Sequence, residues 1–340
     1  MLENLRRGRK KYGLSRYLLR QAKNHVNRYR YKLNRKRIVQ AFRELGMQDG
    51  MTVCVHASLS RLGYIEGGAD AVVDSLFEVL GEHGCIVMPT FSMIGTMRGY
   101  LDAGNVFDVR STPSQVGAVA EAFRMRQGVL RSLHPTNSVA AYGSEAAELL
   151  RDHDLSQTPY GPDTPYGRLA ENENAYILML NTHVQSLLHH VQDRVEFPNM
   201  FFDTPTEASY IDHEGVSKTL ATKVMRPLIP YYVAIPPASG KEPDWALLHD
   251  FSLIFPSRRD GELARFGYRL DRLPSLYNRR ERLIAEGVLS SRKLGRGEIG
   301  LLNAARFVRE VQPEFEQSID SFRPYYDLEY LEAANLPPFV

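Results

Sequence analysis

Two neighbouring imidazoles, His189 and His190, stand close to Ser186, Gln192, Asp193 and Glu196 in a stretch whose 183–195 part is predicted to be a helix. An imidazole titrates near neutral pH, so it is the side chain best suited to take a proton from an attacking nucleophile. Residues three and four apart share a helix face. Asp193 can therefore reach His190 at i+3 or His189 at i+4, and Gln192, at i+3 from His189, can orient that ring without adding charge. His183, His189, His190 and Asp193 also resemble a metal-ligand set. Adjacent helical residues point about 100° apart, however, and the set lacks two histidines on one helix face, so no metal is expected.

A second group lies near residue 56. Met51–Val55 is an apolar run that reads as a buried strand. It ends in His56, then Ser58 and Ser60, then Gly63, Gly67 and Gly68. Ala71, Val72, Leu76, Val79 and Leu80 follow at helical spacing. Strand, polar loop and helix together offer hydroxyls, backbone N–H groups and a helix N-terminus to something anionic. An ordinary turn between strand and helix uses the same residues. A third group, Arg131, Ser132 and His134, could add charge and a hydroxyl to the same cleft. The plain alternatives are an ion pair for Arg131 and a loop-bracing hydrogen bond for His134.

The elements that must position these residues follow from periodicity and turn chemistry. A short helix is predicted over 38–48, then a strand–helix–strand unit over 51–91 whose second strand is Gly84–Phe91. Residues 92–112 read as loop and Gln115–Met125 as a helix introduced by Thr112-Pro113-Ser114. The segment 130–143 is polar and turn-rich, then strand-like; 158–167 is a rigid loop rich in Pro and Gly. Ala175–Leu180 is a buried strand. Five prolines within 227–243 predict an irregular arm, 246–290 reads as mainly helical, and a last strand–helix unit runs from Leu294 to Val311.

Length and composition set the frame. The chain has 340 residues, 43% hydrophobic and 24% charged, the balance of a globular protein with a sizeable core. Its two cysteines lie in apolar runs, no stretch is long and apolar enough to span a bilayer, and no signal-peptide core is seen, so a cytoplasmic protein is expected. The net charge of +2 hides an asymmetry. Residues 1–37 hold 14 Lys/Arg against Glu3 alone, a net +13, so the remainder carries −11. Leu14, Leu18, Ala22, Val26, Tyr29 and Leu33 would form one stripe of a basic amphipathic helix. Such a helical extension over 1–37, ahead of one domain over 38–340, could meet an anionic membrane surface or a protein partner, or pack on its own acidic body. Nucleic acid is not the expected partner, because no aromatic-basic platform accompanies the charge.

Taken together, the loops resemble the antibiotic (aminoglycoside 3-) N-acetyltransferase family. The carriers are the HxSxSxxG segment at His56–Gly63, the helix start at 67–74, Met88-Pro89-Thr90-Phe91, the segment Arg131-Ser132-x-His134-Pro135-Thr136-x-Ser138, and Gly161-Pro162-x-x-Pro165-Tyr166-Gly167. The resemblance covers residues 38–200 and, more weakly, 290–311. It implies a three-layer α/β/α sandwich around a mixed sheet, acetyl-CoA as cosubstrate, no metal, and acetyl transfer to an amine. His56, Ser58, Ser60, Gly63, Arg131, Ser132 and His134 would then hold the cofactor. The family's helix pattern is Thr-x-x-His-x-x-Glu, met here as Ser186-x-x-His189-x-x-Gln192. His189 would be the base, and Gln192 departs from the family's carboxylate. Three readings stay open: His189 oriented by Asp193, His190 oriented by Asp193, or a helix that has lost its base.

Two functions follow from this. The first is an acetyl-CoA-dependent N-acetyltransferase acting on an amino sugar, either an aminoglycoside or a sugar precursor of a glycan or natural product. The basic extension and Gln192 lean toward a non-resistance acceptor. The second is a degenerate relative that binds CoA or a partner without turnover.

Overall fold

Seven strands form the sheet that carries the molecule: β1 Thr52–Ala57, β2 Cys85–Pro89, β3 Leu130–Arg131, β4 Val139–Tyr142, β5 Ala175–Leu180, β6 Leu289–Leu294 and β7 Gly297–Asn303. Their order across the sheet is β6-β7-β5-β1-β2-β4-β3. The central strand β1 runs parallel to β2 and to β5, while β7, β6, β4 and β3 join antiparallel, so the sheet is mixed. This is a computed structural model that describes residues 31–59, 62–182, 186–197, 200–225, 231–235, 244–248, 279–318 and 322–324.

Strand alternation divides the core in two. Cys54, Val87, Ile177, Met179 and Leu302 face one side, under helices Ala146–Leu150, Pro165–Glu171, Leu187–Arg194 and Ala304–Ser318. Val53, Val55, Ile86, Met88, Leu178, Leu180 and Leu301 face the other, under Arg35–Leu45, Gly68–Leu80 and Ala118–Arg124. Neighbours in a strand point to opposite faces, so apolar runs without polar alternation mark strands buried on both sides. The expected three-layer α/β/α sandwich around a mixed sheet is thus the observed architecture, and the predicted strand–helix–strand unit is β1, Gly68–Leu80 and β2.

Several boundaries differ from the sequence reading. The predicted extension over 1–37 lies outside the described residues as far as residue 30. Its last part is not continuous helix: Lys32–Leu33 is a short strand parallel to Tyr64–Ile65, and Asn34 caps a helix that starts at Arg35. Leu33 is buried there by strand pairing rather than by a helical stripe. Lys32 pairs with Glu66 at 2.9 Å and Arg35 with Glu78 at 2.8 Å, so these basic residues meet the body's own acids. Within 92–112, Thr96 caps a helix over Met97–Asp102 and Phe107–Asp108 forms a strand. The helix foreseen at Gln115 starts at Ala118, because Ser114 N–H donates to Glu121 instead of opening the helix. The proline-rich arm and the adjoining predicted helix hold an antiparallel pair, Tyr231–Ile235 with Asp244–Leu248. Helix occurs at Arg279–Ala285, followed by the β6–β7 hairpin and the Ala304–Ser318 helix. Among the described residues no helix is long and apolar enough to cross a membrane.

Candidate active site

The carboxyl ends of β1, β2 and β5 lie side by side, and in parallel sheets ligands bind beyond such ends. A hollow of about 270 Å³ opens there, lined by Val55, His56 and Ala57 from β1, Met88 and Pro89 from β2, Phe91, and Thr182 and Ser186 after β5. Val116, Val119 and Ala120 close its other side. His56 has the same parity as Cys54, so it faces the layer containing the Leu187–Arg194 helix. Its Nε2 accepts the N–H of Ser186 at 3.4 Å and lies 3.9 Å from Cys54 Sγ. Burial, then the neighbouring His189, lowers the His56 pKa to about 4, so the ring is neutral at ordinary pH.

His189 stands on the first turn of that helix. Its Nδ1 lies 2.8 Å from Oε1 of Gln192, and its ring packs on Tyr160 with centroids 4.9 Å apart. A carbonyl oxygen only accepts, so the hydrogen sits on Nδ1 and Nε2 is the basic nitrogen. Gln192 therefore occupies the orienting position that the sequence reading gave first to Asp193. Asp193 turns elsewhere: its carboxylate accepts from the Thr158 hydroxyl. Burial raises the Asp193 pKa, with the Thr158 bond and Lys223 opposing. His190 is 1% exposed and its Nδ1 bonds the carbonyl of Tyr160 at 2.7 Å. That ring pins the 158–161 loop to the helix and has no carboxylate partner among the described contacts, which removes the reading of His190 with Asp193.

Near the residues expected to cradle a cofactor's phosphates, several backbone groups have partners within the chain. Tyr64 N–H donates to the carbonyl of Tyr31 and Glu66 N–H to that of Leu33. At Gly63, φ is +127° and a Cβ would stand 2.6 Å from the Tyr31 carbonyl oxygen. The glycine admits the close approach of the Tyr31 backbone. Ser58 N–H is bonded to Leu180 O at 2.8 Å, and Ser60 lies outside the described residues.

Arg131, Ser132 and His134 are buried and have hydrogen-bond partners within the protein. The Arg131 guanidinium is buried over the Phe107 ring and donates to the carbonyls of Thr90 (2.6 Å) and Thr112 (2.5 Å) and to the hydroxyls of Thr90 and Ser138. Its donors are spent inside the protein, and burial lowers its pKa to about 9. Ser132 Oγ accepts Val139 N–H and bonds His153 Nδ1 at 2.9 Å, while His153 Nε2 meets Pro159 O at 3.3 Å. His134 Nδ1 accepts Asn137 N–H at 3.1 Å, and Asn137 Nδ2 donates to the Tyr160 hydroxyl at 2.9 Å. The 131–138 turn is thus a brace that holds the 153–161 loop, and through Tyr160 it supports His189.

That loop also walls a larger hollow of about 820 Å³. Asp152, Asp163, Asp193, Glu196 and Asp203 line it against Arg151, Arg168 and Lys223, so carboxylates exceed cations. Arg151 is already paired with Glu148 and Asp152. Sequence reasoning missed Thr158, Tyr160, Asp163 and Asp203 as site residues. The Pro- and Gly-rich 158–167 loop, which reads as rigid, was the signal for the first three, and Asp203 had none. His189 stands on the helix between Ser186, which lines the smaller hollow, and Asp193, which lines the larger, and its ring packs on Tyr160. Among the described residues no group of three or more His, Cys, Asp or Glu side chains could hold a metal.

The family model described as aminoglycoside 3-N-acetyltransferase matches residues 54–316. The chain is 31% identical over 200 residues to aminoglycoside N(3)-acetyltransferase IX of Micromonospora chalcea, covering 54% of this chain and 70% of that one. It is similar in fold to the aminoglycoside acetyltransferase AAC(3)-Xa, with a TM-score of 0.65, 23% identity, and 88% and 99% of the two chains covered. AAC-IIIb, solved as a binary complex with CoASH, gives a TM-score of 0.62 at 19% identity, covering 84% of this chain and 97% of that one.

Proposed function

The chain belongs to the aminoglycoside 3-N-acetyltransferase family and is an acyltransferase that uses acetyl-CoA to acetylate an amine, and from that premise we propose which residues do the work and on what acceptor. His189 is the base and Gln192 fixes its tautomer. The observation that carries this is the 2.8 Å contact between His189 Nδ1 and Gln192 Oε1, on a helix whose N-cap Ser186 lines the apolar hollow and whose Asp193 lines the acid-rich one.

The apolar hollow suits the thioester end of acetyl-CoA, because its walls are Val, Ala, Met, Pro and Phe with few polar groups. The cosubstrate supplies an activated acetyl group. His189 Nε2 takes the proton that the acceptor amine loses as it attacks. Desolvation beside Tyr160 and the hollow's apolar wall keeps water from competing. Asp163, Asp193, Glu196 and Asp203 favour a polycationic amino sugar, such as an aminoglycoside, over an anionic nucleotide-linked one. This turns away from the non-resistance acceptor that the basic N-terminal segment suggests. Acetyl-CoA is a cytoplasmic metabolite, which supports a cytoplasmic location.

The test is to mix the protein with acetyl-CoA and a panel of aminoglycosides and simpler amines, and to follow thiol release. Turnover on aminoglycosides that His189→Ala abolishes supports the reading. CoA binding with no turnover on any amine sinks it and favours a binding protein.

A further inference from the structure

His56 is a second imidazole that the base chemistry does not use, and it lines the same hollow as the thioester end. Its tautomer is set by its neighbours. Ser186 N–H can only donate, and Cys54 S–H is a weak donor, so Nε2 is the acceptor for both and the ring's hydrogen is on Nδ1. The ring therefore carries its one N–H donor on Nδ1, and the residue lines the hollow at the carboxyl end of the central strand. Burial and the nearby His189 both keep it uncharged. A neutral imidazole donates without competing for the proton that His189 must accept.

Resting on the acetyltransferase reading, we propose that His56 is a catalytic residue of the transfer, its Nδ1–H donating to the thioester carbonyl oxygen as negative charge develops there. The amine nitrogen's lone pair forms the new C–N bond while the carbonyl π pair moves onto oxygen. The nitrogen's proton passes to His189 Nε2. The C–S bond then breaks, the oxygen pair re-forms the carbonyl, and the CoA sulfur leaves as thiolate and takes the proton from His189. Charge appears on the oxygen and then disappears, and a fixed donor stabilises it most between those moments. The contribution is on kcat, because the neutral ground-state carbonyl gains less from the same bond.

Three proteins test this: wild type, His56→Asn, which keeps an N–H donor, and His56→Leu, which does not. Folding of each is checked by its thermal melt, and acetyl-CoA affinity by calorimetry. His56→Leu is expected to lose roughly 10²-fold or more in kcat with KM for both substrates within about threefold, and His56→Asn to recover part of the loss. A second readout needs no turnover. With acetyl-CoA bound and no amine present, the thioester carbonyl stretch is expected to fall to lower wavenumber in wild type and to return to its solution position in His56→Leu. Should His56→Leu not fold, the stretch and kcat of His56→Asn against wild type, together with the ¹⁵N signature of an Nδ1–H tautomer at His56, carry the test. Equal kcat in wild type and a folded His56→Leu, or a stretch unmoved by substitution, overturns the proposal while the acetyltransferase reading stands. Absence of turnover on every amine sinks that reading and the catalytic role with it, and a stretch still shifted by His56 then reports only a hydrogen bond to the bound thioester.

Discussion

Gln192 Oε1 faces Nδ1 of His189 across 2.8 Å, one helical turn on from the imidazole. The amide supplies the orientation of a carboxylate at that position without its charge. Gln192 is 4% exposed, so a carboxylate there would be nearly desolvated. Replacing Gln192 by Leu removes the acceptor that keeps the hydrogen on Nδ1, and a wrong tautomer removes the basic lone pair. Loss of roughly 10²-fold or more in kcat is expected, with acetyl-CoA affinity unchanged. Gln192→Glu keeps the acceptor and adds charge, so it is expected to stay active and to move the acid limb of the rate profile to higher pH. A fully active Gln192→Leu would sink the orienting role.

Asp193 separates the acceptor wall from the base. Its carboxylate bonds Thr158 and borders the larger hollow. Asp193→Asn is expected to raise KM for a polycationic amine by about fivefold, in line with roughly 1 kcal/mol for a partly solvated charge pair, and to leave kcat nearly unchanged. The opposite pattern, a fall in kcat at constant KM, would return Asp193 to the role of orienting His189.

Arg131 is expected to matter for stability rather than for binding CoA. Its guanidinium satisfies the carbonyls of Thr90 and Thr112 in a site 5% exposed. Arg131→Ala leaves the Thr112 carbonyl without its donor and the Thr90 carbonyl with the Ser138 hydroxyl alone, a cost of about 3 kcal/mol in a urea melt. Calorimetry on the folded variant should find CoA affinity within a factor of two of wild type. A tenfold loss of affinity without loss of stability would restore Arg131 to the cofactor site.

Acid should unfold the protein through its buried histidines. His134 and His153 are fully buried and His190 is 1% exposed. Burial is the largest cause lowering all three; His153 falls to about 3 and His134 lies well below 6.5. Below pH 6.5 the unfolded chain takes up protons that the folded rings refuse. Stability is therefore present above about pH 6.5 and is lost as the pH falls toward the folded values. Each ring contributes a slope on the order of 1.4 kcal/mol per pH unit in that window. Tm should drop steeply between pH 6.5 and 4, and His153→Gln should flatten the drop. A Tm independent of pH over that range would contradict the neutral buried state.

Much of the frame was legible because periodicity is local. Continuous apolar runs in 52–57, 85–89 and 175–180 marked strands buried on both faces, and the helical spacing after Gly67 marked the crossover between two of them. His189 and the position of Gln192 were legible for the same reason, since i and i+3 meet on any helix. What lies near a side chain in space was not. The glycine at 63 signals close approach, but only the folded chain shows that the approaching group is Tyr31. Arg131 and His134 have the chemistry of ligands, yet long-range packing buries them against Thr90, Thr112 and Asn137. Asp193 sits at the right helical offset for His189, and a loop thirty-five residues earlier in the chain takes its carboxylate instead. Residue types and their spacing thus determined which groups could react and which elements carry them. The sheet's order decided which of those groups share a hollow and which became internal braces, because contacts between distant segments are set by packing rather than by local pattern.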